Sequence, residues 1–220
     1  MKIILSRTHC GITFCFCVLL CQAALPARLN AALAITAPGS GGLSANTSSG
    51  NTYGWSFNVG ATNLQVSGLG IWDNGQDGLI ASHPVGVWDN SGTLVASTTV
   101  EAGTAAPLVG EFRVETLNSP VILSANAIYT IGTLYLGDDS FQNTFATAPT
   151  VSSDINSLQP RFANGGTLAE PTASFGSVPY VGPNFQYTAV PEPASSWFFL
   201  AGGIVLLGIK FRRARKARTY

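Results

Sequence analysis

Apolar and polar residues alternate in short runs through the middle of this chain, and turn-forming residues separate the runs. Residues 53–59, 64–72, 84–88, 93–100, 108–114, 121–123, 128–136 and 184–189 are rich in Val, Ile, Thr and aromatic side chains. Asp73-Asn74-Gly75 and Asp89-Asn90-Ser91-Gly92 punctuate them. A period of two bounded by such residues predicts antiparallel strands, and no stretch sustains a helical period. The fold expected over residues 52–189 is therefore all-β, an antiparallel β-sandwich of jelly-roll type. Residues 35–51, mainly Gly, Ser, Thr and Ala, read as a flexible lead-in. The Ser-, Asn-, Gly- and Pro-rich stretch 143–183 reads as long loops across one end of the sandwich.

The two ends break this pattern. Lys2, Arg7 and His9 make a basic start, residues 11–20 form an apolar stretch too short to span a bilayer, and small residues follow in Ala31-Ala32-Leu33-Ala34. That order is a secretory signal peptide, which makes the Sec export machinery a partner. Ala32-Leu33-Ala34 is the best match to the small-residue cleavage pattern, giving a leader over residues 1–34, and Gln22-Ala23-Ala24 is an earlier alternative. At the other end Val190-Pro191-Glu192-Pro193 precedes an apolar run over 194–209 and a basic cluster over 210–218, made of Lys210, Arg212, Arg213, Arg215, Lys216 and Arg218. As a helix the run would cover about 24 Å of a hydrocarbon core of about 30 Å, a marginal span. With Trp197 at one boundary and the cations at the other, the positive-inside rule places the basic tail in the cytoplasm and the domain outside it.

In that order and at the C-terminal end, Pro191-Glu192-Pro193, an apolar helix containing Gly202 and Gly203, and an Arg-rich tail resemble the PEP-CTERM sorting signal over residues 190–220. The resemblance implies that exosortase, a membrane protease-transferase, is the partner, and that Val190 to Pro193 form a processing site on a substrate. It also implies a protein tethered to the inner membrane before processing and then moved to the envelope or beyond the cell, in a setting of exopolysaccharide production and biofilm growth. Physically, two prolines around one glutamate hold the chain extended and stop a helix, which presents backbone to an enzyme at the membrane surface. Residues 64–136, with Gly86-Val87-Trp88-Asp89, Gly110-Glu111-Phe112-Arg113 and Tyr129-Thr130-Ile131-Gly132, resemble a β-rich ectodomain of unknown function that recurs in PEP-CTERM proteins. That likeness suggests a sandwich of the carbohydrate-binding-module kind and names no ligand.

Charge sharpens this picture. The chain has a formal net charge of zero, yet six of its eleven cations fall in residues 210–218. From Ile35 to Val190 only Arg113 and Arg161 stand against ten acids, a net charge of −8 that excludes nucleic acid as a partner. All four cysteines, Cys10, Cys15, Cys17 and Cys21, lie in the leader, so the exported domain is expected to rest on its core and not on disulfides.

Candidate chemistry is sparse. Asp73, Asn74 and Asp77 offer oxygens at a spacing that suits Ca²⁺, without the distal glutamate of an EF-hand, and ordinary turn chemistry explains them equally. Trp72 and Trp88, with Trp55, Tyr53 and Tyr135, would make a sugar-stacking platform if exposed and a core if not. Gly70-Ile71-Trp72-Asp73-Asn74 recurs as Gly86-Val87-Trp88-Asp89-Asn90, each copy closing a strand and opening a turn. His83 is the one histidine outside the leader, and no residue pattern places a nucleophile and an orienting acid around it. Paired-carboxylate chemistry would need Asp138, Asp139, Glu111 or Glu115 to meet another acid across the fold. The function expected is a non-catalytic envelope or matrix protein with no cofactor, calcium being the single candidate. A carbohydrate-binding, calcium-dependent module is the alternative, and a secreted hydrolase the third reading.

Overall fold

The computed structural model describes residues 31–45, 50–136, 139–144 and 146–190. The leader over residues 1–30 and the tail from Pro191 onward, with its motif, apolar run and basic cluster, lie outside the described residues, as does Asp138.

The described residues form fourteen strands and no helix: β1 (Ala32–Leu33), β2 (Ile35–Ala37), β3 (Leu43–Ala45), β4 (Asn51–Val59), β5 (Asn63–Trp72), β6 (His83–Asp89), β7 (Leu94–Val100), β8 (Leu108–Val109), β9 (Phe112–Leu123), β10 (Ile128–Tyr135), β11 (Ser140–Gln142), β12 (Thr150–Val151), β13 (Ile155–Asn164) and β14 (Pro183–Val190). Two five-stranded antiparallel sheets, in the orders β1-β14-β5-β9-β8 and β13-β4-β10-β6-β7, curl around one core. The small pairs β3/β11 and β2/β12 close its flank. The all-β, antiparallel expectation holds.

Alternation determines which face each strand buries. In β4 the core face carries Tyr53, Trp55, Phe57 and Val59, while Thr52, Gly54, Ser56 and Asn58 point the other way. Trp55 and Phe57 meet Phe185 of the facing sheet at ring-centroid distances of 6.0 and 5.2 Å, and the indole Nε1 of Trp55 donates to the Pro183 carbonyl at 3.1 Å. The fully buried aromatics thus join the two sheets and satisfy their own polar atom.

The outward face of the second sheet is packed as well. Gly54, Gly132 and Gly86 are direct cross-strand partners on β4, β10 and β6, leaving a trough across three strands. Pro171 fills it over Gly132, where an added Cβ would lie 2.9 Å from the Pro171 ring and 2.7 Å from Thr52 Cγ2. Trp88 fills it over Gly86, its Cη2 2.7 Å from where a Cβ would stand.

Two stretches differ from their sequence reading. Residues 32–37, divided in that reading between the leader and a flexible lead-in, form β1 and β2, and β3 follows at 43–45. Within 143–183, read as loops, β13 pairs with β4 along ten residues of chain. Its pattern was masked because Pro160 sits inside it and because it bulges, with a register shift between Asn156 and Gln159 and a positive φ of 57° at Ser157. Both are tolerated because β13 is an edge strand, where a missing N–H and an extra residue break no second ladder.

Candidate functional site

Of the three calcium candidates, Asp73 faces a buried cation that the chain itself supplies. Asp73 follows β5 and is buried; both its carboxylate oxygens accept from the Gly78 N–H, at 3.3 and 3.1 Å, and Oδ2 accepts from Arg113 Nε at 2.7 Å. The same guanidinium donates to the Ala106 carbonyl at 3.3 Å and the Gln76 carbonyl at 3.2 Å. Carboxylate and carbonyl oxygens of the 73–78 loop therefore do surround a positive charge, and it is Arg113 from β9. Asn74 and Asp77 are left exposed on the outside of the turn. Among the described residues no three His, Cys, Asp or Glu side chains converge.

Neither tryptophan of the stacking pair presents a face to solvent. Trp72 and Trp88 are each 5% exposed. Trp72 lies in the core with Nε1 donating to Glu111 Oε2 at 3.3 Å, and Trp88 lies in the outer trough over Gly86. Tyr53 packs inward against Phe141 at 4.4 Å and Tyr180 at 5.3 Å, and Tyr135 is fully buried beside them. The echoed Trp-Asp-Asn segments share a local form but not a role. Asp89, unlike the buried Asp73, is a half-exposed turn acceptor bonded to Ser91 and Thr93, and these bonds hold its carboxyl below the usual range.

His83 begins β6 and is fully buried. Its Nδ1 faces the Leu134 carbonyl at 2.9 Å and its Nε2 faces Asp139 Oδ2 at 2.8 Å. Both ring nitrogens are thus engaged inside the fold. Asp139 also accepts from the N–H groups of Ile80 and Ala81, each within 3.2 Å. Burial pushes its carboxyl up, but the His83 bond and the two backbone donors outweigh this and hold it below the usual carboxylate range. These contacts tie the 73–82 loop and the start of β6 to Asp139. Glu111 is engaged by Trp72, and Glu115 sits on β9 opposite Leu69.

The remaining site is the end of the fold itself. β14 is flanked by β5 along its whole length and ends with Val190 paired to Asn63. Val190, the first residue of the processing motif, is thus part of a ladder, and Pro191 follows it directly. On its other side β14 carries β1, with Ala32 opposite Tyr187 and Leu33 opposite Gln186. Tyr187, packed under this junction, donates to Asp154 Oδ2 at 3.0 Å and pairs with Ser152 Oγ, and burial pushes its phenol up to about 12. Because β1 and β14 run antiparallel, the chain enters and leaves the sandwich at the same pole, beside the turns at 60–62, 89–93 and 124–127.

Comparison with known proteins agrees with that geometry. The sequence family described as the PEP-CTERM protein-sorting motif matches residues 189–216, so the match begins on the last two residues of β14. No curated protein matches the chain. Among solved structures, the crystal structure of the infectious bursal disease virus VP2 subviral particle is similar at a TM-score of 0.27 and 16% identity, over 76% of this chain and 43% of that one. The present chain thus spans less than half the length of that protein.

Proposed function

We infer that the PEP-CTERM protein-sorting motif of this chain marks an exported protein with a membrane-anchored C-terminus that exosortase processes. We propose that the domain so delivered is a non-catalytic component of the cell envelope or extracellular matrix, lying in contact with exopolysaccharide once its tail has been removed. The observation that carries this reading is the junction at Val190, where a sandwich strand passes without a spacer into the sorting motif. The domain is built to be handed over as a unit, and its titratable groups support a structural role. Asp73, Arg113, His83 and Asp139 hold loops together, and Trp72 and Trp88 fill space.

The test is the intact mass and location of the protein in a host with its exosortase and in a strain lacking the enzyme. Loss of the segment from about Pro191 onward only when exosortase is present, with the product recovered in the polysaccharide fraction, supports the proposal. An unchanged C-terminus in both strains makes residues 194–209 a permanent anchor and overturns it. Retention of the released domain on immobilised glycans in affinity gels would move the reading toward a carbohydrate-binding module.

A further inference from the structure

We propose that the leader is removed upstream of Ala32, at Gln22-Ala23-Ala24, and that residues 32–37 stay in the exported protein as its N-terminal brace. The inference rests on the export reading above and concerns where the leader ends.

The sequence pattern alone favours a cut after Ala34. The fold opposes it at every atom of that peptide bond. Ala34 and Ile35 are fully buried and Leu33 is 7% exposed. The Ala34 N–H donates to the Phe185 carbonyl at 3.0 Å, and the Ala34 carbonyl accepts from the Ser152 N–H at 2.9 Å. Ile35 and Asn184 bond twice: the Ile35 N–H donates to Asn184 Oδ1 at 3.0 Å, and Asn184 Nδ2 donates to the Ile35 carbonyl at 2.8 Å. Asn184 is itself fully buried, a polar side chain in the core that bonds the backbone of Ile35 and of its own chain neighbour Phe185.

A cut after Ala34 would turn the Ile35 amide into an ammonium in a position with no solvent contact, with the Asn184 side-chain oxygen as its acceptor in place of water. It would also delete β1. The residues Tyr187 and Gln186 of β14 would lose their ladder partners, and the strand leading to the sorting motif would become a bare sheet edge. A cut at Gln22-Ala23-Ala24 avoids all of this. It leaves residues 25–31 ahead of β1 in the sequence, so β1 and β2 are kept whole, and it still removes the cysteines, the last of which is Cys21.

The experiment is N-terminal sequencing of the exported, wild-type protein after labelling of free α-amines, which reads this end independently of what happens at the C-terminus. A mature N-terminus at Leu25, or at any residue before Ala32, is the expected result. An N-terminus at Ile35 in folded protein overturns the proposal while leaving the export reading standing. A leader that remains attached to protein at the membrane overturns the proposal, and protein retained in the cytoplasm overturns the export reading. Replacing Ala23 and Ala24 by Trp separates the two sites in the same assay. Accumulation of uncut precursor supports the upstream site, and unchanged release of a chain starting at Ile35 refutes it.

Discussion

Arg113→Met tests the claim that a guanidinium occupies the place a metal ion was expected to take. The substitution keeps a long apolar stem and removes the charge. Asp73, 2% exposed, would retain only the Gly78 N–H as a donor, and the Ala106 and Gln76 carbonyls would each lose the Arg113 bond. Removing one partner of a buried ion pair costs about 3–5 kcal/mol, because the other charge is left without compensation. For a domain of this size each kcal/mol moves Tm by about 2–4 °C, so a fall of about 6–20 °C is expected. Asp73→Asn combined with Arg113→Met should recover part of that loss, since it removes the stranded charge. It should not recover all of it, because an unpaired buried carbonyl still costs about 1–3 kcal/mol. Urea midpoints and calorimetry of the exported protein measure both. A loss under about 1 kcal/mol for the single variant would refute the pair's role. So would a wild-type Tm that rises on adding calcium and falls with EDTA, because the loop would then hold a metal that Arg113 does not replace.

Three further outcomes follow from particular contacts. The processed protein should end at or beyond Val190, since residues through Val190 are paired with β5; C-terminal mass analysis showing an end before Ala189 would contradict a cut outside the ladder. Asp139, whose carboxyl lies below its ordinary value when folded, contributes stability that is present above the unfolded carboxylate pKa of about 3.9 and lost as pH falls through the lower folded value. The fall in Tm on acidification below about pH 4 should therefore be shallower in Asp139→Asn than in wild type, and equal slopes would remove Asp139 from the account. Gly132→Ala should destabilise by about 1–3 kcal/mol, as its Cβ would press on Thr52 and Pro171 in a filled trough; a change within about 0.5 kcal/mol in urea would show that the strap over the trough yields freely.

The central strands were legible because each buries one face, and a buried face imprints a period of two on the sequence. β4 and β10 read directly, as Trp55, Phe57, Tyr129 and Ile131 alternate with Gly, Ser and Thr. The N-terminal arm was not legible for the opposite reason. β1 and β2 are too short to show a period, and their Ala-Leu-Ala-Ile composition serves a signal-peptide end as well as a sheet edge. What places them is Asn184, 149 residues away from Ile35 in sequence, and no local rule reports such a contact. Likewise the spacing of Asp73, Asn74 and Asp77 singled out the 73–78 turn, but Asp73 alone of the three meets a cation, Arg113 of β9 forty residues on, and no local pattern reports that pairing.

The register of the first sheet also brings acids that are distant in sequence together at each pole. Entry at Ala32 and exit at Val190 lie at one pole, where Asp89 and Asp154 are the acids of the neighbouring turns. The loops that carry Asp77, Glu101, Glu111 and Asp139 lie at the other, because β5, β6 and β9 each have one end there: Trp72, His83 and Phe112 respectively. Of the described acids at that far pole Asp73 pairs with Arg113 and Asp139 with His83, and among the described residues Asp77, Glu101 and Glu111 have no cationic partner. Those carboxylates give the far pole a negative surface that favours cationic or cation-bridged partners, an attraction that weakens as salt is raised.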